Sequence, residues 1–206
     1  MILLIGSEGS IGKRYQAILR HLSIEYQCFD PVLGQMEPDW NDVDKVLIAS
    51  PTDTHYYWCQ RSLDKGIPFL CEKPVSKNVE EVSAIASRCK LTGIDGRMVC
   101  NYKFVLGRKK PIVDDYFRTG GDGVYWDLIQ LLYLNPELKF YTKCPIWTLI
   151  TEHDVIRYGN LENSYVAMII SWVGGHNDHL WNMEDAAKAT EVVIERMKKD
   201  DHTDNR

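Results

Sequence analysis

No apolar stretch in these 206 residues approaches the ~20 needed to span a bilayer, so no membrane-spanning role is expected. Met1 leads directly into a short apolar run rather than into a charged and then apolar leader, which predicts no signal peptide. Positive charge is scarce. The net charge of −5 argues against a nucleic-acid partner or an anionic lipid surface, and the one dense basic run, Arg108-Lys109-Lys110, reads as a solvated loop or helix start. There is no C-x-x-C pair among the six cysteines. The nearest two, Cys89 and Cys100, stand eleven apart, and most lie in apolar runs, which predicts buried reduced thiols in a cytoplasmic protein. His176-x-x-His179 with Asp178 lacks a third ligand at helical spacing, so no metal is expected and a polar loop between strand and helix is. What remains is a soluble composition, long enough for one large domain or two small ones, either with an adequate core.

The first half alternates between strand and helix patterns. Ile2-Leu3-Leu4-Ile5 is a continuous apolar run of the kind a central parallel strand needs when both its faces are covered. Ile11, Tyr15, Ile18, Leu19 and Leu22 follow at helical spacing. Further strands are predicted at 25–30, 46–49, 69–71 and 98–100. Between them, Tyr56, Cys59, Gln60 and Leu63 mark one helix that ends at Gly66, and Val79, Val82, Ile85 and Cys89 mark another that ends at Gly93. Asn78 and Glu81 have capping-box spacing at the second helix's start. Such alternation predicts a doubly wound parallel sheet with right-handed crossovers.

The first strand breaks into Gly6-Ser7-Glu8-Gly9-Ser10-Ile11-Gly12. A phosphate-cradling Walker A loop is excluded, because Gly6 lies one residue too far from Gly12-Lys13 and Arg14 follows where Ser or Thr is required. The dinucleotide fingerprint G-x-G-x-x-G fits better. Gly9 and Gly12 keep its spacing, Ser7 replaces its first glycine, and Gly6 takes the tight turn one residue early. Gly6, Ser7, Gly9, Ser10 and Ile11 are expected to meet a pyrophosphate through free N–H groups at the helix start. Asp30 ends the second strand, where a carboxylate accepts from an adenosine ribose and repels a 2′-phosphate. Pro31 follows it rather than an arginine, which favours NAD over NADP.

Downstream stand Ser50-Pro51-Thr52-Asp53-Thr54-His55 after the third strand and Cys71-Glu72-Lys73-Pro74-Val75 after the fourth. With the glycine turn, they resemble the glucose–fructose oxidoreductase / inositol dehydrogenase (Gfo/Idh/MocA) family, whose hallmark is Glu-Lys-Pro after the fourth strand. Pro-x-x-x-His after the third strand is another of its features. Asn101-Tyr102-Lys103-Phe104 looks like the family's Asn-Tyr-Arg-Phe segment. The resemblance covers about residues 1–105. It implies a cofactor site that includes Ser50, Pro51, Thr52, His55, Glu72, Lys73 and Tyr102, with Lys73 beside the nicotinamide. Thr52 or Asp53 is expected to cap the helix after the third strand. The Lys73 ammonium is positioned to hydrogen-bond a substrate hydroxyl and ease loss of its proton, and Pro74 restricts Lys73 to extended backbone that aims it.

Beyond residue 105 the chain departs from the family. The family's catalytic helix reads Asp-x-Gly-x-His-x-x-Asp. Here Asp127 keeps the first position, but Leu131 takes that of the histidine and Leu134 that of the second aspartate. Lys73 and Asp127 are the expected catalytic residues, with Gln130 and Tyr102 as possible substitutes for the imidazole. The spacing of Val124, Leu128, Leu131 and Leu132 also fits a core helix. Strands are predicted at 146–150 and 165–172, a final helix over 183–197 that Asn182 caps, and a charged tail over 198–206. The expected architecture is therefore α/β: a Rossmann NAD-binding domain over 1–118 and a shortened α+β domain over 119–206, about half of what the family's substrate sheet uses. Two functions follow. One is an NAD-dependent oxidoreductase acting on a secondary alcohol of a sugar, inositol or nucleotide sugar. The other is a dinucleotide-binding protein that has lost catalysis and serves as a binding or regulatory subunit. Half a sheet leaves an open edge or face, so a homo-oligomer, most simply a dimer, is expected.

Overall fold

The computed structural model describes residues 1–106, 113–117, 124–141, 148–151, 155–157, 159–177 and 180–203. The chain divides into two compact units, Met1–Val99 with Trp181–Ala187, and Cys100–Leu180 with Lys188–Arg206.

In the first unit the apolar runs become strands and the stripes become helices: β1 (Ile2–Ile5), α1 (Ser10–His21), β2 (Tyr26–Phe29), β3 (Lys45–Ile48), α2 (Thr52–Asp64), β4 (Phe69–Cys71), α3 (Val79–Thr92) and β5 (Gly96–Met98). The sheet order is β2-β1-β3-β4-β5, all parallel. All four residues of β1 are buried, as its uninterrupted Ile-Leu-Leu-Ile requires, and each such side chain contributes about 1.5–3 kcal/mol by leaving water. The register sets Ile5 beside Phe29 and Ile48, and Ile48 beside Cys71, so four strands reach their carboxyl ends at one level. Chain order reverses at β1, whose neighbours β2 and β3 lie on opposite sides. That is the switch point where open α/β sheets form their ligand crevice.

A sixth strand completes this sheet. Trp181–Asn182 (β10 in chain order) runs antiparallel to β5, an edge that the sequence pattern gave no sign of. Asn182 then caps the last helix as expected, its Oδ1 accepting from the Asp185 amide at 2.8 Å. At the start of α3, Asn78 Oδ1 accepts from the Glu80 and Glu81 amides at 2.8 and 3.4 Å. The box closes through an intermediary: Glu81 accepts from the Ser76 hydroxyl at 2.5 Å, and that hydroxyl accepts the Asn78 amide at 3.0 Å.

The second unit contains α4 (Asn101–Leu106), β6 (Val113–Phe117), α5 (Val124–Asp127), α6 (Ile129–Leu134), β7 (Lys139–Tyr141), β8 (Thr148–Thr151), β9 (Val155–Arg157) and α7 (Gly159–Val173); α8 (Met183–Thr203) follows β10. A four-stranded sheet has the order β7-β6-β8-β9. Two expectations change here. Residues 165–172, read as a strand, lie within α7, which packs on α4. The final helix runs on to Thr203 through the predicted tail. Arg108-Lys109-Lys110, Cys144, Ile146, Trp147, Asp178, His179 and residues 204–206 lie outside the described residues.

Candidate functional site

The three glycines of the first turn have different surroundings. Gly6 has φ +81°, and a Cβ on it would fall 2.4 Å from the Ser50 amide nitrogen, so only glycine allows the β1 and β3 turns to touch. A Cβ on Gly12 would fall 2.1 Å from the Gly6 carbonyl oxygen, which fixes close helix–turn packing. Gly9 is exposed, and a Cβ there meets nothing nearer than 3.6 Å. Its bareness therefore leaves the backbone open toward an outside group. No side chain caps α1, whose first residues Ser10 and Ile11 are exposed and half-exposed. An uncapped helix start behind a bare glycine fits a pyrophosphate.

Ser7 is fully buried. Its carbonyl accepts from Gln16 Nε2 at 2.9 Å. It lies by the Cys28 thiol, which burial pushes upward and the Ser7 contact draws back down. Asp30 joins two loops: one carboxylate oxygen accepts the Glu8 amide at 3.0 Å and the other the Val32 amide at 3.1 Å. Each oxygen keeps a lone pair, so the carboxylate can still receive a ribose hydroxyl.

At the end of β3, Pro51 takes the N-cap position of α2 and no side chain caps the helix, which corrects the expected capping by Thr52 or Asp53. Thr52 is already the first helical residue. The Thr54 hydroxyl bonds Ser50 Oγ at 2.7 Å and donates to the Pro51 carbonyl at 2.8 Å. The α2 start, like that of α1, thus keeps its amides without a side-chain acceptor. His55 is buried and points inward, with Nε2 2.7 Å from the Ser50 carbonyl and Nδ1 2.8 Å from the Pro74 carbonyl. At the end of β4, Glu72 is buried with both oxygens engaged, by the Tyr15 hydroxyl at 2.6 Å and the Lys73 amide at 3.1 Å. Lys73 itself is half-exposed between buried Glu72 and Pro74, and the Lys73–Pro74 bond is cis. Burial pushes the Cys71 thiol well up, so it stays protonated and donates to the Glu72 carbonyl at 3.4 Å.

Gly6, Ser7, Gly9, Ser10, Ile11, Asp30, Ser50, Pro51, Thr52, His55, Glu72 and Lys73 therefore gather on the first unit's carboxyl edge. Tyr102 and Asp127 belong to the second unit. There the Tyr102 amide donates to Gln130 Oε1 at 3.1 Å, Gln130 Nε2 to Asn101 Oδ1 at 3.1 Å, and Asn101 Nδ2 to the Ser164 hydroxyl at 3.3 Å. Gln130 is 1% exposed with both ends of its amide bound, so it serves the core rather than replacing an imidazole. Leu131 is 0% exposed. Among the described residues no group of His, Cys, Asp and Glu is arranged to hold a metal ion. The sequence reading missed Tyr15, placed only on an apolar stripe, and Gln16. A tyrosine on a buried stripe carries a hydroxyl into the core and must find it a partner, and that was the available signal.

Comparison with known proteins agrees with this geometry. Residues 10–94 match the model of an oxidoreductase family, GFO_IDH_MocA, described as an NAD-binding Rossmann fold. D-xylose 1-dehydrogenase (NADP(+)) 2 of Haloferax volcanii is 30% identical over 64 residues, 31% of this chain and 20% of that protein. The scyllo-inositol 2-dehydrogenase (NAD(+)) of Bacillus subtilis is 29% identical over 92 residues, 45% of this chain and 25% of that protein. The matched stretches thus span a quarter or less of these relatives. In fold, the chain is similar to the WlbA (WbpB) dehydrogenase of Thermus thermophilus, solved with NAD and UDP-GlcNAcA. The TM-score is 0.69 at 15% identity, covering 95% of this chain and 94% of that one. It is also similar to a Gfo/Idh/MocA family oxidoreductase of Vibrio cholerae, with TM-score 0.70 at 14% identity over 100% of this chain and 99% of that one. Turn, strand ends and matched residues point the same way: residues 10–94 of this chain are similar to the NAD-binding Rossmann domain of the Gfo/Idh/MocA oxidoreductase family.

Proposed function

We propose that this protein is an NAD-dependent oxidoreductase that moves hydride between the nicotinamide and a secondary alcohol of a sugar, inositol or nucleotide sugar. The observation that carries this reading is Lys73. It is half-exposed at the end of β4, on the same sheet edge as the open Gly9 turn and Asp30, with both neighbouring residues buried. The amides at the starts of α1 and α2 would hold the dinucleotide's phosphates, and Asp30 its adenosine ribose. Bound NAD supplies the hydride acceptor. Lys73 hydrogen-bonds the alcohol oxygen through its ammonium and lowers the cost of its deprotonation, the proton leaving to water as the hydride departs. The relatives named as xylose and inositol dehydrogenases support the substrate class.

Residues 31–39, which follow Asp30, contain no Lys or Arg, and nearby Arg61 is paired with Glu37 at 2.9 Å. A 2′-phosphate would meet the Asp30 carboxylate, while Arg61 is already engaged by Glu37. NAD(H) should therefore bind at least about tenfold tighter than NADP(H), roughly 1.4 kcal/mol, in calorimetric titration. Equal affinities would remove the role given to Asp30. Replacing Lys73 with methionine should preserve NAD binding while turnover falls by about 10² or more. Normal turnover by that variant would end the catalytic assignment. The division into an NAD-binding part over 1–118 and a shortened part over 119–206 that selects substrate and forms a two-fold dimer belongs to the same proposal, and light scattering at micromolar concentration tests the dimer.

A second reading rests on Leu131, fully buried where the family's helix carries histidine. In it the chain binds the dinucleotide as a regulatory or binding subunit. NAD binding without NAD reduction across a broad panel of sugars and inositols would select it.

A further inference from the structure

The turn that carries Lys73 is gripped on both sides by buried groups, and one grip starts on α1, the helix that opens at the glycine turn. Tyr15 is 0% exposed and gives its hydroxyl to one oxygen of Glu72 at 2.6 Å. The other Glu72 oxygen accepts the amide of Lys73 at 3.1 Å. Beyond Lys73, His55 bridges the Pro74 and Ser50 carbonyls. A carboxylate that is 6% exposed has little water to turn to, so its two donors decide its orientation.

We infer that Tyr15 and Glu72 form a positioning pair for Lys73. The tyrosine hydroxyl orients the carboxylate, and the carboxylate anchors the lysine-bearing backbone. The ring of Tyr15 fills the core whether or not it carries oxygen; the hydroxyl alone reaches the carboxylate. Removing it leaves one Glu72 oxygen without that donor, so the Lys73 amide alone is left to hold the carboxylate and the orientation of the pair loosens. The His55 bridge on the far side stays, so the turn keeps its course while Lys73 loses its near anchor. The effect on turnover rests on the oxidoreductase reading above, whereas the positioning does not.

Amide hydrogen exchange on the full chain, followed residue by residue by NMR, tests this without any substrate. In Tyr15→Phe the protection of the Lys73 amide should fall by about tenfold or more, while Leu4 and Leu70 in the sheet keep theirs. Glu72→Gln keeps the shape but loses one acceptor oxygen, and it should give the same local loss. Calorimetry should find NADH affinity within about threefold of the parent in Tyr15→Phe. With any sugar that the parent oxidises, kcat should fall about 10- to 100-fold in Tyr15→Phe at an unchanged KM for NAD, the size expected of a misplaced catalytic group. Unchanged protection at Lys73 in both variants would overturn the inference, as would an equal loss throughout the sheet, which marks a packing role alone. A parent without turnover would end the oxidoreductase reading while the exchange result still decides the positioning.

Discussion

The carboxyl edge of the parallel sheet and the segment 124–134 are the two places where the sequence led one to expect site residues, yet they relate to the core in opposite ways. At the sheet edge the strands finish at one level, and β1, β2 and β4 pass directly into Gly6, Asp30 and Glu72, where the apolar run stops. Gly9 and Ser10 face solvent and Lys73 is half-exposed. In 124–134 the positions aligned with the family's acid/base residues are Leu131, fully buried, and Leu134, half-buried, while Gln130 is held by Asn101 and Tyr102. A strand end lies outside the packed layers, so its chemistry persists without disturbing them. On a helix each position is either core or site, and one substitution moves it from one to the other.

Three substitutions sharpen that contrast. The largest effect is expected for Gly12→Ala. Its methyl group collides with the Gly6 and Ser7 backbone, which has no flexible side chain to yield, so the first unit should lose about 4 kcal/mol or more. Denaturant unfolding followed from both units measures it, and an unmoved midpoint would mean that the turn is looser than its geometry. Leu131→His comes next. If the position is core, an imidazole there creates an unpaired buried polar group in place of an isobutyl group, at about 2–4 kcal/mol. If it is a lapsed site, stability holds and weak NAD reduction appears, and the contrast between the two regions breaks. The smallest effect is alkaline. Burial first, then the hydrogen bond to Asp200 at 2.8 Å, pushes the Tyr125 phenol up to about 12. A raised value in the folded state means that its contribution is complete below pH ~10 and disappears as pH rises toward 12. The parent's unfolding midpoint should therefore fall more steeply over that range than that of Tyr125→Phe, and parallel curves would show that the bond contributes nothing.

The same contrast explains what could be read in the sequence. Central parallel strands are uninterrupted apolar runs closed by turn residues, so β1, β3 and β4 stood out, and with them the turns that carry the site. Residues 165–172 mislead because Tyr-Val-Ala-Met-Ile-Ile-Ser-Trp has strand-forming composition. Its burial is nonetheless helical: Ser164, Tyr165, Met168, Ile169 and Trp172 are buried while Ala167 and Ile170 are exposed, and α4 packs along that stripe. Spacing outweighs composition when the partner is another helix. β10 was hidden because two residues added to an edge carry no period. The Tyr15–Glu72 link was hidden for another reason: its partners are 57 residues apart, and nothing in either local pattern names the other.

The bareness of Gly9 has a genetic consequence. Its φ of −65° and ψ of 164° suit any residue, and an added methyl group has room inside the protein. Substitutions there escape the folding penalty that guards Gly6 and Gly12, so a screen for folded, abundant protein would pass them unseen. If the proposed dinucleotide site holds, selection for the bound ligand is what keeps this glycine. Gly9→Ala is then the allele expected to separate the two requirements, weakening binding while leaving folding intact.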